Sequence, residues 1–332
     1  MTATISLIDG GAARAFGRGI NPSHPAPPAP SEPEMIVRKR PNALLMLFVI
    51  KGGVIQRIFP QLLVVGAMST LIVWAHHTYP SVVPGVNPAP FALIGIALSI
   101  FLSFRNTASY DRWWEGRKLW GLIIQTSNDI SRQSVVLDDG APSPSPARRK
   151  LLEQVIAFAS ATVIVLRAGG HRSAGATPLH TISPPEAILH QMTAEVGQLL
   201  RAGALQAGEA YALNRHIATL CQAQISCERL LNTPLPFAYT LLLHRTAYLF
   251  CFLLPFGFAD FLGWGTPLAV MLVAYTFFGL DALGDELEEP FGLMPNDLPI
   301  AAYARAVEIN MRAAMGEANL PAAMQPKDCV LT

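Results

Sequence analysis

Two stretches, residues 58–75 and 91–104, contain no Asp, Glu, Lys or Arg. The first approaches the ~20 residues that a helix needs to cross a bilayer. Trp74, His76, His77 and Tyr79 stand at its end, where an interfacial belt belongs. The second opens with Pro88-Ala-Pro, a helix start, and closes at Arg105. Residues 76–87 between them hold no Lys or Arg. Arg38, Lys39, Arg40, Lys51 and Arg57 precede the pair, and Arg105, Arg112, Arg117 and Lys118 follow it. Basic residues stay in the cytoplasm, so the two runs form a hairpin with both ends inside and the turn outside. The chain is 14% charged, against roughly 25% in soluble domains, which also points to a membrane. A net charge of +1 offers no attraction to nucleic acid.

At helical spacing the second run separates into two lines. Ile96, Ile100 and Phe104 recur every four residues on one, and Gly95, Ser99 and Ser103 on the line beside it. A line of small residues lets a neighbouring helix approach closely. Copies packed in that way would turn the bulky line toward a shared axis. An apolar ring there stops ions by dewetting and passes them when widened. On spacing alone, however, ordinary core or lipid contact is the simpler reading of the bulky line.

The rest of the chain divides by composition. Residues 1–34 are rich in Ala, Gly and Pro, which suits a disordered, polyproline-like tail. Residues 35–104 hold a basic amphipathic segment, to about position 57, and the membrane hairpin. Residues 105–236 alternate apolar and charged groups at helical spacing, interrupted by loops at 138–147 and 168–185. Residues 105–136 read as a long amphipathic helix continuing from the membrane into the cytosol. The whole stretch reads as an all-helical cytosolic domain without strands. Residues 237–256 are apolar apart from Thr240, His244, Arg245 and Thr246. A charge in such a run costs about 2.5–3.5 kcal/mol and should face protein or water. Residues 257–266 again lack Lys and Arg and belong outside. Residues 267–280 are too few to span as they stand, so that helix is broken or continues past Asp281. Together 237–280 make a second hairpin, and 281–332 a cytosolic C-terminal segment.

No nucleotide, nucleophile-elbow or metalloprotease signature is present, so the chain does not read as an enzyme. Cys221, Cys227, Cys251 and Cys329 lack metal-ligand spacing and read as reduced thiols. Asp281, Asp285, Glu286, Glu288 and Glu289 offer the oxygens a hard cation wants. Pairing with the basic residues of 105–118, or a solvated face, is the simpler account.

The motifs carry a likeness. Phe91-Ala-Leu-Ile-Gly-Ile-Ala-Leu-Ser-Ile-Phe-Leu-Ser-Phe-Arg-Asn, followed by Tyr110-Asp-Arg-Trp-Trp-Glu-Gly-Arg-Lys-Leu-Trp-Gly, resembles the neck and following helix of bestrophins. Thr233-Pro-Leu-Pro-Phe-Ala-Tyr, Asp285-Glu-Leu-Glu-Glu-Pro-Phe-Gly and Asn296-Asp-Leu-Pro resemble further bestrophin motifs, in the family's order. The likeness runs from Met35 to Thr332 and is to the bacterial branch. It implies an all-α membrane protein with four transmembrane helices and a helical cytosolic domain per subunit. Five subunits would surround one central pore in the bacterial inner membrane, with both termini cytoplasmic. The family's neck carries over onto Ile96, Ile100 and Phe104, and this reverses the reading from spacing alone. A second, cytosolic constriction falls near Ile217, counting back from Thr233-Pro-Leu-Pro.

Animal bestrophins are gated by calcium, held in an acidic loop after Pro-Phe-Gly. Here that loop is Leu293-Met-Pro-Asn-Asp297, with one carboxylate, so neither calcium gating nor a cofactor is expected. The bacterial branch is associated with sodium, which implies a passive channel for monovalent cations. Two other readings stay open. One is a chloride channel on the same architecture, with Arg245 and helix termini favouring anions. The other is a membrane-tethered scaffold that uses the Pro-rich tail. The expected partners are further copies of the chain, lipid and permeant ions.

Overall fold

A computed structural model of the chain describes residues 53–83, 85–138, 140, 143–169 and 184–325. The tail at 1–34, most of the basic segment before 57, most of the 168–185 loop and Cys329 lie outside the described residues.

The described residues are helical, with no strand among them. Helix α1 covers Ile55–Thr78 and α2 covers Ala89–Gln133, followed by a 3-10 turn at Ser134–Asp138. Helices α3 (Pro146–Gly169), α4 (Pro184–Arg201) and α5 (Ala207–Asn232) come next. Then follow α6 (Phe237–Leu262), a 3-10 turn at Gly263–Gly265, α7 (Thr266–Glu288) and α8 (Ile300–Ala314).

Two of these follow readings of the sequence: one helix continues from the membrane into residues 105–136, and the last membrane helix continues past Asp281. The 45 residues of α2 run unbroken through position 104, where the composition changes from membrane-like to amphipathic. At 1.5 Å per residue such a helix is about 68 Å long, so one rod joins the two halves of the fold. Of the two courses open to the last membrane helix, a break or continuation past Asp281, it takes the second. α7 continues through Asp281 to Glu288 and reaches 23 residues, enough to span.

Two apolar cores follow from this arrangement. In the first, α1, α6 and α7 pack on one another, and α6 and α7 also pack on the early part of α2. Val65, Leu102, Cys251, Leu254, Val270 and Phe278 lie inside it. In the second, the later part of α2 packs with α5 and α8, while α3 packs with α4 and α8. Trp120, Ile123, Phe158, Leu220, Tyr303 and Val307 lie inside that one. α2 supplies residues to both.

By length and apolarity α1, α2, the joined pair α6–α7 and also α3 suffice to cross a membrane. α3 nonetheless begins at Pro146 with Arg148, Arg149 and Lys150, and it buries Leu151, Leu152, Val155 and Phe158 in the second core. It belongs to the helical body. The membrane unit is therefore α1, the first half of α2, α6 and α7, and its outward faces carry Leu63, Leu71, Leu249, Leu268 and Leu272 exposed.

Candidate functional site

The early part of α2 is the least covered of the apolar helices. Its most apolar window is 17% buried, against 33% for α1 and 39% for α6–α7. It rests on its own subunit along one narrow face, made by Leu98, Leu102, Arg105 and Ser109. These recur at intervals of four and three, the spacing of a single stripe. Ile96, Ile100 and Phe104 are 61%, 50% and 62% exposed. At about 100° per residue they lie roughly opposite that stripe. The three side chains thus point away from every helix of their own subunit.

The small-residue line divides between two tasks. A Cβ at Gly95 would stand 3.1 Å from the Phe250 ring of α6, so this glycine serves close packing within the subunit. Ser99 and Ser103 are exposed. The Ser99 hydroxyl donates to the Gly95 carbonyl at 2.7 Å, which leaves a small, satisfied surface on that side of the helix.

Ile217 requires a correction. It is 4% exposed and sits in the second core with Leu213 and Leu220, where it cannot line a path shared between subunits. Counting back from a motif finds a turn of a helix but not its face. Tyr211, Arg215, Ala218 and Ile225 occupy the exposed side of α5 around that level.

Beneath the neck lies a charge cluster centred on Arg105, which is wholly buried. Its guanidinium donates to Asp281 Oδ1 at 2.6 Å and Asp285 Oδ1 at 2.5 Å, and stands 3.7 Å from Glu288 Oε2. Asp281 also faces His244 Nδ1 at 2.7 Å, and Asp285 accepts from Arg57 at 3.3 Å. α1, α2, α6 and α7 are tied together at one level in this way. A buried cation needs such partners, because water no longer solvates it. Two helical turns further along α2, Arg112 donates to the Leu230 and Thr233 carbonyls at 2.5 and 2.6 Å and to the Glu288 carbonyl at 3.0 Å. It covers the negative end of the α5 dipole and locks α5 to α7.

The loop after Pro-Phe-Gly closes over the middle of α2. Leu298 N–H donates to the Pro290 carbonyl at 2.8 Å, and Trp113 Nε1 donates to the Asn296 carbonyl at 2.9 Å. Asn296 in turn donates to Glu286 Oε2 at 2.6 Å. Asp297 Oδ2 accepts from Met294 N–H at 2.6 Å. A Cβ at Gly292 would come within 2.5 Å of that oxygen, so only glycine lets the carboxylate turn inward. Burial, with Glu286 and Glu289 nearby, pushes Asp297 up to about 7. The acidic run is thus largely engaged by Arg57, Arg105 and Asn296. Among the described residues no three His, Cys, Asp or Glu side chains converge as metal ligands would.

At the opposite end of the membrane unit, His76 does more than decorate an interface. Its Nε2 meets Asp260 Oδ1 at 2.7 Å and its Nδ1 meets the Val83 carbonyl at 2.7 Å, while His77 stacks on Trp264. Sequence reading missed this tie because Asp260 lies in a distant segment. The one available signal was a carboxylate alone in an apolar run.

Comparisons with known proteins agree on the family. Residues 35–313 match the family described as Bacterial/Fungal Bestrophin protein. The voltage-dependent anion channel-forming protein mll4386 of Mesorhizobium japonicum is 40% identical over 310 residues, 91% of this chain and 98% of that one. The voltage-dependent anion channel-forming protein YneE of Escherichia coli (strain K12) is 37% identical over 302 residues, 88% of this chain and 98% of that one. The crystal structure of a bacterial bestrophin homologue from Klebsiella pneumoniae superposes with a TM-score of 0.71 at 35% identity, covering 79% of this chain and 100% of that one. The expectation of sodium conduction does not survive these comparisons, since relatives this similar are named for anions.

Proposed function

The chain belongs to the bacterial and fungal bestrophin family, and on that premise we propose that it forms an anion channel in the bacterial inner membrane. Five copies assemble with the first halves of α2 innermost. Ile96, Ile100 and Phe104 of each copy form the neck of the path. The observation that carries this reading is the unpartnered apolar face of α2. Three large side chains more than half exposed or nearly so, on a helix joined to its subunit by one stripe, call for a neighbour on the other side. Lipid alone would satisfy them, but lipid already has the broad outer faces of α1, α6 and α7. An apolar ring lets ions through only when it is wide enough to stay wet.

Anion preference is supported by the names of the relatives. It comes from groups outside the neck, because the neck has no charge. The ends of the first hairpin, at Arg57 and at Arg105–Lys118, are the basic ones, so they lie on the cytoplasmic side. Conduction needs neither bound calcium nor a cofactor, in keeping with carboxylates already committed to arginines.

The test is the current through purified protein in planar bilayers under a potassium chloride gradient, with and without a calcium chelator. The reading predicts a reversal potential displaced toward the chloride equilibrium value and no effect of the chelator. A reversal at the potassium value would refute the anion assignment.

A further inference from the structure

The neck is uncharged, so the groups that give the path its preferred sign must lie beyond it. They have to be charged, exposed, unpaired within the subunit, and on the same face of α2 as the neck. The charges of α2 can be sorted by these criteria. Arg105 and Arg112 are engaged as described above. Glu115 accepts from Arg229 at 2.5 Å. Arg117 lies over the Tyr303 ring at 4.9 Å. Asp129 and Arg132 pair with each other. Asp111 and Lys118 remain, both exposed and neither with a partner among the described residues.

Their register is the second observation. Phe104, Asp111 and Lys118 are spaced by seven residues. Seven residues make two turns with a drift of only about 20°, so both charges continue the neck's face. Each step is about 10.5 Å along the helix. The helix that carries the neck is unbroken through these positions. Below the apolar ring, the same face therefore presents carboxylates and then ammonium groups.

Resting on the pore reading above, we propose that Lys118 sets the anion preference of the path, and that Asp111 opposes it at the inner mouth of the neck. In the assembled channel each position becomes a ring. The Lys118 ring concentrates anions at the cytoplasmic end, and the Asp111 ring raises their barrier just beneath Phe104. Fields of this kind fall off over about 8 Å in physiological salt but reach about 30 Å at 0.01 M. At physiological salt the two rings act on separate sections of the path, and their effects are largest when salt is low.

The experiment compares wild type, Lys118→Gln, Asp111→Asn and Lys118→Arg in planar bilayers under a potassium chloride gradient at low and at molar salt. Chloride-to-potassium permeability should fall about threefold or more for Lys118→Gln at low salt and rise by a similar factor for Asp111→Asn. Lys118→Arg should keep the wild-type ratio, and molar salt should shrink all differences. Should Lys118→Gln fail to assemble, Lys118→Cys modified in the bilayer with cationic or anionic thiol reagents gives the same comparison. The anionic adduct should lower the ratio and the cationic one restore it. Unchanged ratios in channels whose conductance still responds to Phe104→Ala would overturn this proposal and leave the pore reading standing. Silence of the wild-type protein would remove both. Loss of oligomer on single substitution, regained on the swap Asp111→Lys with Lys118→Asp, would also overturn it. That result would place the pair in a bridge between subunits.

Discussion

Asp297 keeps a carboxyl group where the acid is favoured over its anion. Burial pushes it up to about 7, above the ordinary value near 3.9 in an unfolded chain. Between those values the folded state holds a proton that the unfolded state has released, so stability falls as pH rises through that window and levels off above it. Asp297→Asn keeps an acceptor for Met294 N–H and removes the penalty. Its thermal midpoint in detergent should be flatter than wild type between pH 4 and 7 and higher at pH 8, by about 2–4 °C for each kcal/mol recovered. Phe104→Ala is the corresponding test of the neck. Removing a ring that is 62% exposed in its own subunit should raise unitary conductance in bilayers. If the ring only packs subunits together, the yield of oligomer falls and conductance stays. The line of Ile96, Ile100 and Phe104 was legible because a four-residue recurrence in an uncharged run has few meanings once the family motifs are seen. Ile217 was not, because the apolar residues of a packed helix recur at the same spacing whichever way they face. The cysteines read as reduced thiols, and Cys221, Cys227 and Cys251 are free in the structure. Burial pushes Cys227 up to about 12, which suits an inert packed thiol.

Among the elements, α2 and the cluster at Arg105 carry most of the architecture. The acidic run left residues 267–280 with two readings, a broken helix or one that continues past Asp281. In fact Asp281 and Asp285 lie inside α7, where the buried Arg105 offsets the cost of their charges. A charge in an apolar helix reads as a boundary unless its partner is known, and that partner lies 176 residues away. The sequence did suggest pairing with the basic group at 105–118. Which arginine pairs, and which instead holds helix ends, depends on side-chain direction along a continuous rod. Arg105→Gln should leave Asp281 with His244 and Asp285 with Arg57 as the remaining partners of carboxylates that have lost their buried cation. Breaking a buried ion pair costs about 3–5 kcal/mol, so the thermal midpoint should fall on the order of 10 °C. Adding Asp281→Asn to Arg105→Gln should recover part of the loss. A fall no larger than that of an exposed pair such as Arg229 and Glu115 would show that the cluster is not holding the helices together.

For the molecule as a whole, the membrane helices and the all-helical body were readable from composition, charge asymmetry and periodicity. The sign of the permeant ion was not. Neutral side chains in a neck say nothing about sign, and the charges that do are spread over positions that look like any solvated helix face. The account depends on assembly, because a single subunit leaves the apolar face of α2 uncovered and no path enclosed. The most direct test is a map of the purified particle by electron cryomicroscopy. The account predicts five-fold symmetry, with Ile96, Ile100 and Phe104 of every copy meeting around an axial opening. Those three side chains turned to lipid, or subunits packed with no opening on the axis, would contradict it.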